Sequence, residues 1–158
     1  MGKVIIMAGC SGSGKSTFAR ENYPGANVVS ADDYFVGENK EYSFDPSKLP
    51  LAHAQCLRAY VDLVQYVNAR DDGPLARVDE IVVDNTSTTV AEVAPYAALA
   101  LAYGHELEVV ILRVNPAVAH ARNTHDVPLA GVKAQAARLA DLRGSLPPWW
   151  PVRVVGVE

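Results

Sequence analysis

The stretch GCSGSGKST, Gly9 to Thr17, follows the apolar run KVIIMA (3–8) and leads into FARENY, which reads as helix. Its first eight residues fit G-x-x-x-x-G-K-[ST], a pattern with a physical reason. Backbone N–H groups must converge on an anion, and glycine alone permits the dihedrals and the close approach this requires. A helix starting near Lys15 turns its positive dipole end toward the same anion. The composition therefore points to a phosphate cradle made of Gly9, Cys10, Ser11, Gly12, Ser13, Gly14, Lys15 and Ser16. Lys15 would reach the β- and γ-phosphates of a nucleoside triphosphate, and the Ser16 hydroxyl would bind Mg²⁺. Thr17 either helps bind the nucleotide or is an ordinary first-turn residue.

From this loop the rest of the chain reads as alternating strands and helices. KVIIMA, ANVVSA (26–31), EIVVDN (80–85), ELEVVILRV (106–114) and VRVVGV (152–157) are apolar, strand-like runs. Such runs suit parallel strands covered on both faces. Asp45-Pro46 opens a helix carrying Cys56, Tyr60, Leu63 and Val67 on one face. Thr89 and Glu92 form a capping-box pattern, and Gly104 ends that helix. Asn115-Pro116 caps a short helix, ARNTHDVPLAG (121–131) interrupts it, and Leu129–Arg143 is helical again. ARDDGPLARVDE (69–80) reads as a loop, the one hinge candidate. The alternation implies βαβ crossovers and a mostly parallel sheet. With 158 residues, a single domain spanning 1–158 is expected.

Composition sets limits. The chain is 49% hydrophobic and 20% charged, with formal net charge −4. That argues against extensive non-specific nucleic-acid coating, though a local basic groove remains compatible with it. No apolar run approaches the ~20 residues that span a bilayer. The N-terminal MGKVIIMAGC lacks a signal-peptide cleavage pattern, and Ile6 stands where a myristoylation signal needs Ser or Thr. Cys10 and Cys56 lack metal-ligand spacing, as do the four histidines. Reduced, apolar cysteines in the cytoplasm are the simpler expectation.

Two carboxylate positions carry chemistry. IVVDN resembles a Walker B strand, in which Asp84 would hold Mg²⁺ directly or through water. SADDYF places Asp32 and Asp33 just after the second strand, at the sheet edge where ligands of α/β folds bind. A kinase needs a carboxylate there to take the proton of an attacking hydroxyl, an effect of typically ~10²–10⁴ in rate. Side chains alternate in extended chain, so only one aspartate should face the phosphate, with Asp32 the choice. Asp33 would cap the loop or pair with a cation. Tyr34 and Phe35 stack on a base or pack into the core, and PPWW (147–150) either stacks on a base or seals the last strand.

In order and spacing, GCSGSGKSTFARE, SADDYF, VVDNTSTT and ARNTHDVP resemble the polynucleotide-kinase-like P-loop kinases. These include the phage-type 5′-hydroxyl polynucleotide kinase domain and a small branch of AAA-labelled ATP-binding proteins. The latter branch also has a Y-x-F-D-P…A-H…C stretch, present as Tyr42, Phe44, Asp45, Pro46, Ala52, His53 and Cys56. The resemblance implies an α/β P-loop NTPase fold with a five-stranded parallel sheet of order 2-3-1-4-5, helices on both faces and a short helical lid. It implies Asp32 as general base and 122–128 as a lid over ATP. Arg122 would bind the nucleotide and stabilise the transferring phosphoryl group, with Arg138 or Lys133 as a second cation. His125 touches phosphate or caps a turn. Two positions depart from the pattern. Phe35 stands where phage-type kinases have an arginine for the acceptor's phosphate, and Asp126 stands where the small branch often has glycine. The expected activity is transfer of the γ-phosphoryl of Mg·ATP to a hydroxyl, first a nucleic-acid 5′-hydroxyl. The alternatives are a hydroxylated base, a nucleoside or small molecule, or a nucleotide switch that transfers nothing.

Overall fold

The computed structural model describes residues 2–68 and 80–157. The loop expected at 69–79 lies outside the described residues. Five strands form one parallel sheet: β1 (Lys3–Ala8), β2 (Asn27–Val29), β3 (Glu80–Asp84), β4 (Glu106–Val114) and β5 (Val152–Val157). Their spatial order is β2-β3-β1-β4-β5, the order the resemblance implied. Central β1 pairs with β3 and β4, with Met7 opposite both Asp84 and Val110. This register sets the end of β3 beside the start of the glycine loop.

The helices are α1 (Lys15–Asn22), α2 (Leu49–Asn68), α3 (Val90–Ala102), α4 (Pro116–Arg122) and α5 (Leu129–Ser145). Local chemistry explains their ends. The Thr89 side chain accepts from the Glu92 amide while Glu92 accepts from the Thr89 amide, so the expected capping box is present. Asn115 Oδ1 accepts from Ala117 N at 2.9 Å to start α4. Asp45 caps a 3₁₀ turn over Pro46–Lys48, and α2 begins directly after it. A second 3₁₀ turn, Ala31–Phe35, replaces the extended chain expected at the paired aspartates. No described helix is long and apolar enough to cross a membrane.

The two sheet faces are covered unequally. Val4, Ile6, Val83, Val109 and Ile111 pack under α2, α3, α4 and α5. Among the described helices, Ile5, Met7, Val82, Val110 and Leu112 meet α1, through Ala19 and Phe18, together with Tyr23, Ala26 and Val155. One eight-residue helix cannot roof that whole face. Polar side chains cover its lower part. Glu108 takes Lys3 Nζ at 2.6 Å and Arg153 Nε at 3.0 Å. The Tyr23 hydroxyl donates to Glu108 at 3.3 Å and accepts from Arg153 at 2.8 Å. Burial pushes the Glu108 carboxyl up, but the Lys3 hydrogen bond and the two cations outweigh it, so the net shift is downward.

Trp150 packs against the main core, as expected for a seal on the last strand, whereas Trp149 is 77% exposed and seals nothing. The core also holds polar side chains with partners. Buried Tyr60 donates to the Tyr96 carbonyl at 2.7 Å, and His105 lies between Gly2 N and the Val64 carbonyl.

A carboxyl with a depressed folded pKa stabilises the fold above its unfolded value, near 4.5, and loses that contribution as pH falls through the folded value. Glu108→Gln is expected to lower stability at neutral pH by about 1–3 kcal/mol and to flatten the acid limb below pH ~4.5. Denaturant melts across pH, compared with wild type, check both effects.

Candidate active site

The glycine loop is shaped by contacts from distant parts of the chain. Gly12 has φ +80, and a Cβ there would lie 1.9 Å from the Ala119 carbonyl oxygen. The last turn of α4 therefore presses directly on the loop backbone, which only glycine allows. The Gly9 amide donates to the Thr86 carbonyl at 2.9 Å, tying the loop to the residues after β3. Gln135 of α5 clasps Ser11, accepting from its amide at 2.8 Å and donating to its hydroxyl at 3.3 Å. The Ser13 side chain is buried, and its hydroxyl has no hydrogen-bond partner among the described residues. At the start of α1, Gly14 has φ 92 and no side-chain cap, leaving the first-turn amides open to an anion.

Lys15 Nζ donates to the Gly9 and Cys10 carbonyls at 3.1 and 3.0 Å. An ammonium has three donors, so one stays available for phosphate. Burial lowers the Lys15 pKa, opposed by Asp84, the Cys10 thiol and Asp32. Burial raises the Cys10 thiol, so it is an inert filler of the loop. The Ser16 hydroxyl donates to Asp84 Oδ2 at 2.6 Å across 68 residues. Serine hydroxyl plus carboxylate is a hard oxygen pair that fits Mg²⁺, which keeps waters and phosphate oxygens in its remaining positions. No cluster of three or more His, Cys, Asp or Glu suited to a metal occurs among the described residues. Thr17 is exposed and accepts from Arg20 at 3.4 Å on the same helix.

The 3₁₀ turn carrying the aspartates is held by Asn85, buried at the end of β3, whose Oδ1 accepts from Ala31 N at 2.8 Å. Ser30 Oγ caps the turn at Asp32 N, 3.2 Å away. Three residues per turn replace strict alternation, so both aspartates line a cavity of about 470 Å³ with Lys15, Ser16 and Asp84. The alternation expected in extended chain does not apply. Asp33 differs in environment: burial raises its carboxyl, with a Ser30 backbone hydrogen bond opposing. Asp32 alone of the two also lines a second cavity of about 250 Å³, with Phe35, Tyr42 and Phe44.

Asp32 is held on both oxygens. The Tyr42 hydroxyl donates to Oδ1 at 3.3 Å, and His125 Nδ1 lies 3.5 Å from Oδ2. Burial, with Asp32 adding to it, pushes the Tyr42 hydroxyl up to about 12, so it stays a donor at neutral pH. The His125 ring stacks on Tyr42 with centroids 4.3 Å apart. Its segment is stapled by Asn123, which accepts from His125 N at 2.9 Å and donates to the Val127 carbonyl at 2.9 Å. Asp126 in this tight turn has φ 56, the left-handed region that favours glycine and that Asn or Asp tolerates.

Sequence reading named the loop residues, Asp84 and Asp32, and the structure brings all of these to one sheet edge. It does not bring in Arg122. That side chain is exposed at the last residue of α4 and lines neither cavity, although its helix abuts Gly12. Arg138 and Lys133 are likewise exposed, and Arg138 donates Nε to Thr88 Oγ1 at 2.9 Å. Of the site-shaping residues, Gln135 gave no sequence signal, while Asn85 and Tyr42 stood within resembling stretches with no role assigned to either. Only the glycine-loop context combined with the polar Asn85-Thr86 end of β3 could have flagged Asn85.

A parallel sheet of this order, with an anion loop between β1 and α1 and an aspartate ending β3, defines a P-loop kinase-like nucleotide-binding fold. The chain belongs to the AAA domain family, which it matches over residues 4–142. It is 32% identical over 99 residues to NEDD4-binding protein 2 of Homo sapiens, an alignment covering 61% of this chain. The matched region is 5% of that relative. A chain of the Pnkp1/Rnl/Hen1 RNA repair complex superposes with TM-score 0.69 and 15% identity, covering 92% of this chain and 46% of that one. A gluconokinase from Sinorhizobium meliloti 1021 superposes with TM-score 0.54 and 20% identity, covering 99% and 82%. These structural likenesses are ones of fold.

Gly12→Ala forces a side chain against the Ala119 carbonyl and into φ +80. It is expected to cost at least about 2 kcal/mol, or roughly 4–8 °C in Tm. It should also abolish ATP binding, read by calorimetric unfolding and nucleotide titration.

Proposed function

We propose that the protein is an ATP-dependent phosphotransferase that moves the γ-phosphoryl group of Mg·ATP to a hydroxyl. One observation carries this reading: Asp32 forms part of the wall of both cavities, one holding Lys15, Ser16 and Asp84, the other aromatic. A carboxylate between a phosphate cradle and an adjoining apolar chamber suits the deprotonation of an alcohol entering from the chamber side.

In this reading the loop amides and the N-terminus of α1 hold the triphosphate, and Lys15 spends its remaining N–H on the β- and γ-phosphates. Ser16 and Asp84 would hold Mg²⁺, which supplies charge neutralisation on the phosphates. Asp32 takes the proton of the acceptor hydroxyl while its oxygen attacks the γ-phosphorus. The new O–P bond forms, the bond from the γ-phosphorus to the bridging oxygen breaks, and ADP leaves. Tyr42 and His125 keep the Asp32 carboxylate aimed. Arg122, at the end of the helix that abuts the loop, would swing inward to bind the nucleotide and stabilise the transferring group. For a nucleic-acid 5′-hydroxyl acceptor, the support is the motif resemblance and the fold shared with the RNA repair complex. Fold likeness to a gluconokinase supports a small-molecule alcohol. The free Cys10 and Cys56 agree with a cytoplasmic setting.

With γ-labelled ATP and a panel of alcohols, label is expected on an acceptor. Asp32→Asn should reduce transfer by about 10²–10⁴. Lys15→Ala should reduce it by at least ~10² with an unchanged melting curve. Arg122→Ala should reduce it by about 10³ or more. Label reaching only water would identify a hydrolysing switch instead, and full transfer by Asp32→Asn would refute the base assignment.

A further inference from the structure

The second cavity has a chemistry of its own. Tyr42 and Phe44 lie nearly parallel, 7° apart, with ring centroids separated by 6.5 Å. Phe35 meets both at steep angles, with centroids 6.1 and 5.1 Å away, and His125 already stacks on Tyr42 at 4.3 Å, so the exposed Phe44 ring is the face left to an incoming flat ring. Leu49 and Val127 complete the apolar lining, and Phe44 remains 47% exposed. At about 250 Å³ the chamber lies below the usual ~300–1,000 Å³ of ligand pockets, so it suits one small ring compound.

Charge narrows the choice further. Among the described residues no Lys or Arg lines this cavity; the carboxylates there are Asp32 and Glu92, and the histidines His53 and His125. Arg138 gives its Nε–H to Thr88 and is not among the residues that line this cavity. Glu92 Oε2 is saturated by Thr88 Oγ1, Thr89 N and Thr89 Oγ1. Its Oε1 is left to accept from a ring N–H. Among the described lining residues a phosphate group would meet two carboxylates and no guanidinium or ammonium group, whereas an uncharged ring meets the Phe44 face and an acceptor oxygen.

We infer that this cavity is the acceptor site, and that it selects a free, uncharged flat-ring alcohol of nucleoside type over a phosphate-bearing strand end. The inference rests on the phosphotransfer reading for its role and on the cavity's own lining for its selectivity. Base-type rings stack on aromatic side chains whatever their sequence identity, so Phe44 confers affinity and the lack of a cation among the described lining residues confers discrimination.

Calorimetric titration of the wild-type protein tests the site without any transfer step. The probes are thymidine and adenosine, their 5′-monophosphates, a 5′-hydroxyl oligonucleotide and gluconate. At least one nucleoside is expected to bind, with its monophosphate and the oligonucleotide at least about tenfold weaker and gluconate undetected. Phe44→Ala should weaken the nucleoside by roughly tenfold. Phe44→Arg, at an exposed position that tolerates the change, should raise oligonucleotide affinity relative to wild type. Monophosphates or oligonucleotide binding as tightly as nucleosides, or no nucleoside binding at millimolar concentration, would overturn the inference. Label transfer to an oligonucleotide or to gluconate without nucleoside binding overturns this site while phosphotransfer stands. Nucleoside binding with label reaching only water upholds the site and removes phosphotransfer.

Discussion

The carbonyl of Ala119 rests where a side chain at position 12 would have to be. That close approach locks the end of α4 against the phosphate loop, and much of the site follows from it. The chain leaving α4 is stapled by Asn123 into a tight turn, which delivers His125 onto the face of Tyr42. Tyr42 and His125 then hold the two oxygens of Asp32. A missing methyl group in the loop and the aim of a carboxylate are thus connected through packed backbone rather than through any direct bond.

Two further ties complete the edge. Ser16 and Asp84 join the first turn of α1 to the end of β3, and Asn85 joins β3 to the turn that carries Asp32. Because β3 lies between β1 and β2, one strand end governs both the cradle and the aspartates. The site therefore inherits its rigidity from strand pairing, while Arg122 and the turn around Asp126 sit on the exposed rim. That division suits a phosphotransferase. The groups that would hold phosphate need fixed geometry, and strand pairing supplies it.

The lopsided roofing of the sheet shows how a small α/β domain handles surface it cannot cover. The face under α1 keeps an apolar half, Ile5, Met7, Val82 and Val110, and gives its other half to Lys3, Glu108, Arg153 and Tyr23. The polar set satisfies itself, so solvent can reach its margin without an orphaned charge.

Strand and helix order was legible in the residues because apolar runs, a capping box and proline-led helix starts are local signals. So was the phosphate cradle, whose composition is dictated by backbone dihedrals at consecutive positions, and the aspartate ending an apolar strand. The paired aspartates were legible as a pair, with Asp32 the choice between them, but the geometry around them was not. That geometry depends on a 3₁₀ turn where extended chain was expected, and on Asn85, 54 positions from the amide it holds. Gln135 clasps Ser11 across 124 positions, and Tyr42 reaches Asp32 from a polar loop without periodicity. Which oxygen meets which donor is decided by long-range packing, and no pattern of neighbouring residue types encodes it. The sequence by itself determined that this protein cradles phosphate on a parallel sheet, because backbone stereochemistry leaves few other uses for such a loop. Only the tertiary structure decided what stands around Asp32, because that arrangement exists only once α4, α5 and the end of β3 close on one another.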